Sequence, residues 1–334
     1  MKIAMIYHSV DLDGWMSAAI VKHWFNTTKV GQLGTFKDDP SIIIKPFDTL
    51  TFIGYNYGQP IPDLSEYDKV IMCDISFSKE DMYRLSLRNN LIWIDHHISA
   101  INDIESNKQV ENELIEGLRD INFAACELTW QFLFPNEPMP EIVRLLGRYD
   151  CFGHKGTDEE REVLEFQYAC RSIISNYNDA YYYLQSYLQD DTSVTEALPM
   201  DGAAIYSYLK TEAKHIYAKR FDIFFHTPNS KNTNLHQRFA CINHTRFNPV
   251  NFGIDYHAHD YDGVACWWYE EGKICFSLYN DNGLVDCSQI AKQYGGGGHK
   301  GASGFIIKCN DHFMPMTITR LINTLGSGLK AQNI

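Results

Sequence analysis

The chain has 334 residues, 45% hydrophobic and 21% charged, and a formal net charge of -13. That composition excludes collagen-like, low-complexity and disordered classes, and the length suits two domains better than a single core. The negative charge argues against long duplex nucleic acid as a partner, because that mode of binding needs a basic face.

No apolar run approaches the roughly 18 residues needed to span a bilayer. The N-terminal "MKIAMIYHSVDLDG" meets acids too soon for a signal peptide and reads as a first strand. A soluble, cytoplasmic protein with no membrane partner is expected. The nine cysteines are scattered, odd in number and free of any C-x-x-C pair. They read as small buried hydrophobes in a reducing compartment rather than as a disulfide framework.

In chain order, "KIAMIY" (2–7) reads as a buried strand and "GWMSAAIVKHWF" (14–25) as a helix with apolar residues at helical spacing. "DKVIMCDIS" (68–76) is a second strand ending in Asp74. Ser78 caps a helix running to about Leu87, with Asp81 in its first turn. "LIWID" (91–95) is a third strand. Alternating strands and helices predict a parallel sheet covered on both faces. "PEIVRLLGRYD" (140–150) is a helix with Ile142, Leu145, Leu146 and Tyr149 on one face.

Residues 158–225 carry helical patterns whose many aromatics read as packing, and "FFHTPNSKNTNLHQ" (224–237) reads as a long loop. Beyond it, "RFACINHT", "GVACWWYE" and "KICFSLYN" are strands, the last two joined by a tight turn at Glu271-Gly272. "VDCSQIAKQY" (285–294) is a helix. "GGGGHKGASGF" (295–305) then leads into a strand, and "MPMTITRLINTL" (314–325) is a closing helix. The expected class is α/β, with a parallel-sheet N-terminal domain and a smaller α+β domain containing a mixed sheet. The expected division is 1–190, a helical and loop linker over 191–235, and 236–334.

Chemistry in parallel sheets gathers outside the carboxyl ends of the strands. His8, Asp11 and Asp13 follow the first strand, Asp74 ends the next, and Asp95-His96-His97 ends another. Asp150 closes the helical stretch after them. By itself, His8-x-x-Asp11-x-Asp13 reads equally well as acids at the positive end of a helix. So many acids and imidazoles on one sheet edge would repel strongly without cations. The mixed carboxylate and imidazole set suits Mn²⁺, with Mg²⁺, Fe²⁺, Co²⁺ or Zn²⁺ compatible, and offers enough ligands for two ions.

These motifs, with the C-terminal "GGGGHKGASGF", resemble the DHH superfamily of phosphoesterases carrying the first type of DHH-associated domain. The likeness is greatest to the subgroup that degrades very short RNAs. The resemblance implies a Rossmann-like catalytic domain, with the active site in the cleft between it and the second domain. It implies His8, Asp11 and Asp74 around one Mn²⁺, and Asp13, Asp74, His96 and Asp150 around another, with Asp74 bridging. It further implies that Asp95 orients a histidine and that His97 faces the substrate phosphate. The catalytic set is then Asp74, Asp95 and His97.

A run of glycines, Gly295 to Gly298, first reads as a flexible loop, though exposed N–H groups there could form an anion nest. With His299, Lys300 and Ser303 following, the resemblance implies substrate binding, so Gly296, Gly297, Gly298, His299 and Lys300 are expected contacts. Relatives often grip a terminal phosphate with an arginine in a Ser-Leu-Arg-Ser stretch. Here the stretch is Ser277-Leu278-Tyr279-Asn280. Tyr279 can stack on a base but cannot supply the charge, so Arg246 or Lys300 would take the phosphate. Arg148 and Arg171 are further phosphate-ligand candidates near the metal edge.

The expected activity is metal-dependent hydrolysis of di- to oligoribonucleotides to mononucleotides, by attack of a water activated between two metals. The expected partners are short RNA or DNA oligonucleotides or dinucleotides. The aromatic helical middle could also support a homodimer. Cyclic or linear dinucleotide signals and 3′-phosphoadenosine 5′-phosphate are close alternatives. A nucleotide-binding regulator is the alternative from another class.

Overall fold

The structure is a computed structural model that describes residues 1–29, 48–105, 115–226, 236–245, 248–281 and 283–308. The chain forms two compact units, Met1–Tyr206 and Ser207–Ile334.

The first unit begins with β1 (Lys2–His8), α1 (Leu12–Lys29), β2 (Thr49–Tyr55), β3 (Lys69–Cys73), α2 (Lys79–Asn89), β4 (Leu91–Ile94) and α3 (Ile98–Glu105). It continues through α4 (Ala125–Leu133), α5 (Glu141–Asp150), α6 (Glu160–Ile173), α7 (Tyr177–Leu188) and α8 (Thr192–Thr195) into α9 (Ala197–Tyr217), which crosses the boundary. The four strands lie in the order β2-β1-β3-β4, and every pair is parallel. β3 and β4 are buried along their whole length, as strands covered on both faces must be. Alternation along them sends side chains to two cores. Ile3, Met5, Ile71, Ile92 and Ile94 face one that includes Met16, Ile20, Leu128 and Leu146. Ala4, Ile6, Val70, Met72 and Trp93 face the other, with Met82 and Ile104.

β2 was not expected from the sequence. It is an edge strand with irregular burial, so neither strict alternation nor a continuous apolar run marks "TLTFIGY". Ser78 caps α2 as expected, accepting a hydrogen bond from the Asp81 amide at 3.3 Å.

The second unit contains β5 (Phe221–His226), β6 (His236–Asn243), β7 (Gly263–Glu270), β8 (Lys273–Tyr279), α10 (Cys287–Gln293), β9 (Gly297–Gly298) and β10 (Ala302–Lys308). Its sheet has the order β5-β6-β7-β8-β10-β9 and is mixed, β6–β7 being parallel and the other pairs antiparallel. The stretch 191–235, expected as a helical and loop linker, contains α8, α9 and β5, and β5 pairs with β6 from Phe221 to His226. Ile223 and Phe225, alternate residues of β5, are fully buried. The helix expected over 314–325 lies outside the described residues, as does Cys309. The other eight cysteines are free, and all but Cys151 are buried. Among the described residues no helix is long and apolar enough to cross a membrane.

Candidate metal centre

The carboxyl ends of β1, β3 and β4 bring His8, Asp74 and His96 together. Asp74 follows β3 directly, and its backbone takes a left-handed conformation with φ 62°. Aspartate tolerates that region better than most residues, and strain of this kind collects at functional sites. The turn aims the Asp74 carboxylate across the sheet edge. Its Oδ2 lies 3.4 Å from Nδ1 of His8, and its Oδ1 lies 3.4 Å from Nε2 of His96. One buried carboxylate thus faces an imidazole with each of its oxygens.

On the His8 side, Nδ1 lies 2.6 Å from Oδ2 of Asp11. Despite that distance, His8 Nδ1 is buried and makes no hydrogen bond of acceptable angle. On the other side, Nε2 of His96 lies 3.2 Å from Asp150 and 3.6 Å from Asp13. The ligand atoms fall into three overlapping groups: His8/Asp11/Asp74, Asp13/His96/Asp150 and Asp74/His96/His97. Within each group all ligand atoms lie within 4.8 Å of one another.

Other elements hold the outlying ligands. Gly14 packs its α-carbon against the His8 carbonyl so closely that any side chain would overlap it. This lets α1 start tight against β1, with Asp13 in its first turn. Asp13 is clamped by the first turn of α4: Ala125 N donates to Oδ2 at 2.9 Å and Cys126 N to Oδ1 at 2.7 Å. Free amides at a helix N-terminus suit a carboxylate. Nothing in "FAAC" pointed to this role, because it belongs to backbone N–H groups and not to side chains. Gly147 leaves room for the buried Glu127 side chain, so α5 packs on α4 and delivers Asp150 at its end.

Asp95 is fully buried and holds the next residues in place. Its Oδ1 accepts from His96 N at 2.7 Å and His97 N at 3.1 Å, and lies 2.8 Å from His97 Nδ1. Its Oδ2 accepts from the Trp93 indole at 3.1 Å. The His97 nitrogen within 3.8 Å of Asp74 is the same Nδ1 that Asp95 engages.

The electrostatics follow from crowding. Burial opposes a charge on His8, but the Asp11 and Asp74 carboxylates outweigh it and raise the ring to about 11. Burial opposes a charge on His96 too, and Asp74, Asp150 and Asp13 raise it to about 11. Burial and the Asp74 and Asp150 charges push Asp13 well up. Burial lifts Asp150 to about 6. Asp74 goes the other way: burial opposes its charge, but His8 and His96 hold it below the usual carboxylate range. Without a cation, protons have to occupy this cluster. A divalent ion on each side of Asp74 would replace them with charges that the oxygen and nitrogen donors can coordinate, so the donor set fits metal.

Part of the glycine run's backbone is engaged within the second unit. Gly295 N donates to Lys292 O at 3.1 Å and Gly296 N to Ala291 O at 3.0 Å, closing the end of α10. Gly297 and Gly298 pair with Gly304 and Ser303. At Gly296 any side chain would overlap the Gly304 carbonyl and Phe305. Packing thus accounts for the glycine at 296. Ser303 Oγ donates to the His299 carbonyl at 2.6 Å, and Lys300 is exposed. Tyr279 pairs with Ala302, next to this loop. Arg246 lies outside the described residues.

No family model matches the chain. It is 25% identical over 303 residues to a curated protein described as uncharacterized protein R106 of Acanthamoeba polyphaga mimivirus, covering 90% of this chain and 66% of that one. The chain therefore spans just under two thirds of that relative's length. Among solved structures it is similar to a pGpG-specific phosphodiesterase from Vibrio cholerae, with a TM-score of 0.41, 14% identity, and 97% of this chain and 98% of that chain covered. It is also similar to an exopolyphosphatase-related protein from Bacteroides fragilis, with a TM-score of 0.44, 14% identity, and 97% and 91% covered. The Mn²⁺ complex of RecJ from Thermus thermophilus gives a TM-score of 0.40 at 11% identity, with 97% and 52% covered.

Proposed function

We propose that the chain is a two-metal phosphodiesterase of the DHH type that hydrolyses short oligonucleotides to mononucleotides. The observation that carries this reading is the Asp74 carboxylate, buried between two imidazoles with one oxygen toward each. Around it the donors divide into a His8/Asp11 side and an Asp13/His96/Asp150 side. Divalent cations held by these residues would acidify a bound water and neutralise a phosphate diester, the recurring chemistry of paired-metal hydrolases.

The chain's own residues supply the rest. Asp95 accepts the Nδ1 proton of His97 and so leaves Nε2 as the ring atom for the substrate. From there His97 would donate to a phosphoryl oxygen as charge builds on it. Asp13, fixed by two amides of α4, cannot swing away when protons leave the cluster. The preference for short strands rests on the acidic chain, whose net charge of -13 disfavours a long polyanion. His299, Lys300 and Arg246 are the residues we propose for nucleotide binding. Tyr279, where relatives often place an arginine, would change the grip on a terminal phosphate. Tyr279→Arg should then raise the preference for 5′-phosphorylated over unphosphorylated dinucleotides by a few-fold, and an unchanged preference would remove that part of the reading.

A product assay tests the whole. Purified protein with Mn²⁺ is given, separately, a 5′-phosphorylated diribonucleotide, a longer RNA, a cyclic dinucleotide and pyrophosphate. Conversion of the dinucleotide to mononucleotides, absent in Asp74→Ala, is the expected result. Cleavage of the cyclic dinucleotide alone would move the function to signal degradation. Hydrolysis of pyrophosphate alone would contradict the diesterase reading, and inactivity on all four would favour a nucleotide-binding regulator.

A further inference from the structure

Arg148 on α5 and Arg171 on α6 are the two arginines expected as phosphate ligands, and their surroundings differ. Arg148 Nε is 3.6 Å from Glu159, a carboxylate that also takes Arg144 at 2.8 Å. Arg171, in the last turn of α6, makes no ion pair and no hydrogen bond among the described residues. Its guanidinium carbon instead lies 5.3 Å from the ring centre of Tyr149 and 5.5 Å from that of Tyr168. Both tyrosines are themselves packed. Tyr149 stacks on buried His154 at 5.4 Å, and Tyr168 stacks on Tyr206 at 6.1 Å. Two aromatic faces therefore position a guanidinium without using any of its N–H donors.

Arg171 is exposed, and although its surroundings oppose its charge, Tyr149, Tyr168, Asp150 and Asp11 together favour the charged form. Asp150 and Asp11 belong to the two different sides of the metal cluster. The ring that Arg171 lies against, Tyr149, belongs to the residue next to Asp150 in α5, and Arg171 pairs with neither Asp150 nor Asp11 among the described residues. A planar fork with unspent donors, held beside a cation-binding edge, matches the oxygens of a phosphate that the cations would also attract.

We propose that Arg171 is a substrate-binding residue whose guanidinium, held by Tyr149 and Tyr168, takes a phosphate oxygen of the substrate beside the metal cluster. The inference rests on the phosphoesterase reading and adds to it a residue that grips the anion directly and needs no place in either metal group.

The test is equilibrium binding of adenosine monophosphate to the Mn²⁺-loaded full chain by calorimetry, with adenosine as the phosphate-free control. Wild type, Arg171→Met, Arg171→Lys and Tyr168→Leu are compared, and bound Mn²⁺ and thermal midpoint are measured for each. Arg171→Met should bind the monophosphate about 10- to 100-fold more weakly, the range for losing hydrogen bonds to a charged group. Arg171→Lys should fall between, because an ammonium keeps the charge but not the fork. Tyr168→Leu should weaken binding a few-fold, and bound Mn²⁺ should be unchanged throughout. Wild-type affinity in Arg171→Met would overturn the proposal, as would a loss that only follows lost Mn²⁺ or a wild type that prefers the monophosphate no more than adenosine. If Arg171→Met weakens the monophosphate but the wild type cleaves no diester, the short-oligonucleotide reading fails and the phosphate role of Arg171 stands.

Discussion

Asp74 and Gly296 each sit where a regular element stops, but the fold finishes one environment and leaves the other incomplete. At Gly296 the backbone donor closes a helix, and the neighbouring glycines join a strand pair. Around Asp74, carboxylates from four parts of the chain converge on imidazoles raised to about 11, and His8 Nδ1 is buried without a well-angled hydrogen bond. What distinguishes the Asp74 cluster is charge that protein groups alone compensate poorly.

The strongest way to break this contrast is to remove the shared carboxylate. Asp74→Ala should lower diribonucleotide hydrolysis on the order of a thousandfold or more, as losses at central catalytic groups do, and should release bound metal. Retained turnover at wild-type metal content would show that Asp74 is not shared. The next largest effect is pH. His8 and His96 are raised above 6.5, so both rings hold protons at neutral pH when metal is absent and must lose them to bind it. Apparent Mn²⁺ affinity should therefore climb with pH between about 6 and 8, by up to about a hundredfold per pH unit for two released protons. Calorimetry in two buffers of different ionisation enthalpy counts those protons, and a pH-independent affinity would contradict the account.

Asp95→Asn sharpens the division between ligands and the group that orients them. It should keep bound metal but lower kcat about 10- to 100-fold, because the His97 ring loses its carboxylate partner. Loss of metal with unchanged kcat per bound ion would instead make Asp95 a ligand. On the other side of the comparison, Gly296→Ala should cost about 1–3 kcal/mol of stability through overlap with the Gly304 carbonyl. That appears as a lower thermal midpoint, with little change in metal binding. An unchanged midpoint with lost nucleotide binding would support the anion-nest reading instead.

Much of this was legible in the sequence where side chains carry the signal. Buried apolar runs gave β1, β3 and β4, and the acids and histidines just beyond them are the ones the fold gathers. The α/β class and the mixed second sheet followed from the same patterns. What stayed hidden belongs to the backbone. The α4 amides that clamp Asp13 have no side-chain signature, and β2 lacks a clear period. The hydrogen-bonded state of the glycine run also depends on a neighbouring strand, which spacing alone does not reveal.

The central claim is that Asp74 joins two cation sites. Mn²⁺ stoichiometry with electron paramagnetic resonance tests it most directly, on wild type and Asp74→Ala after removal of free metal. The account predicts two Mn²⁺ per chain in the wild type, with a spectrum showing exchange coupling between them, and loss of that coupling in the variant. A single uncoupled Mn²⁺ in the wild type, or identical spectra from the two proteins, would contradict it.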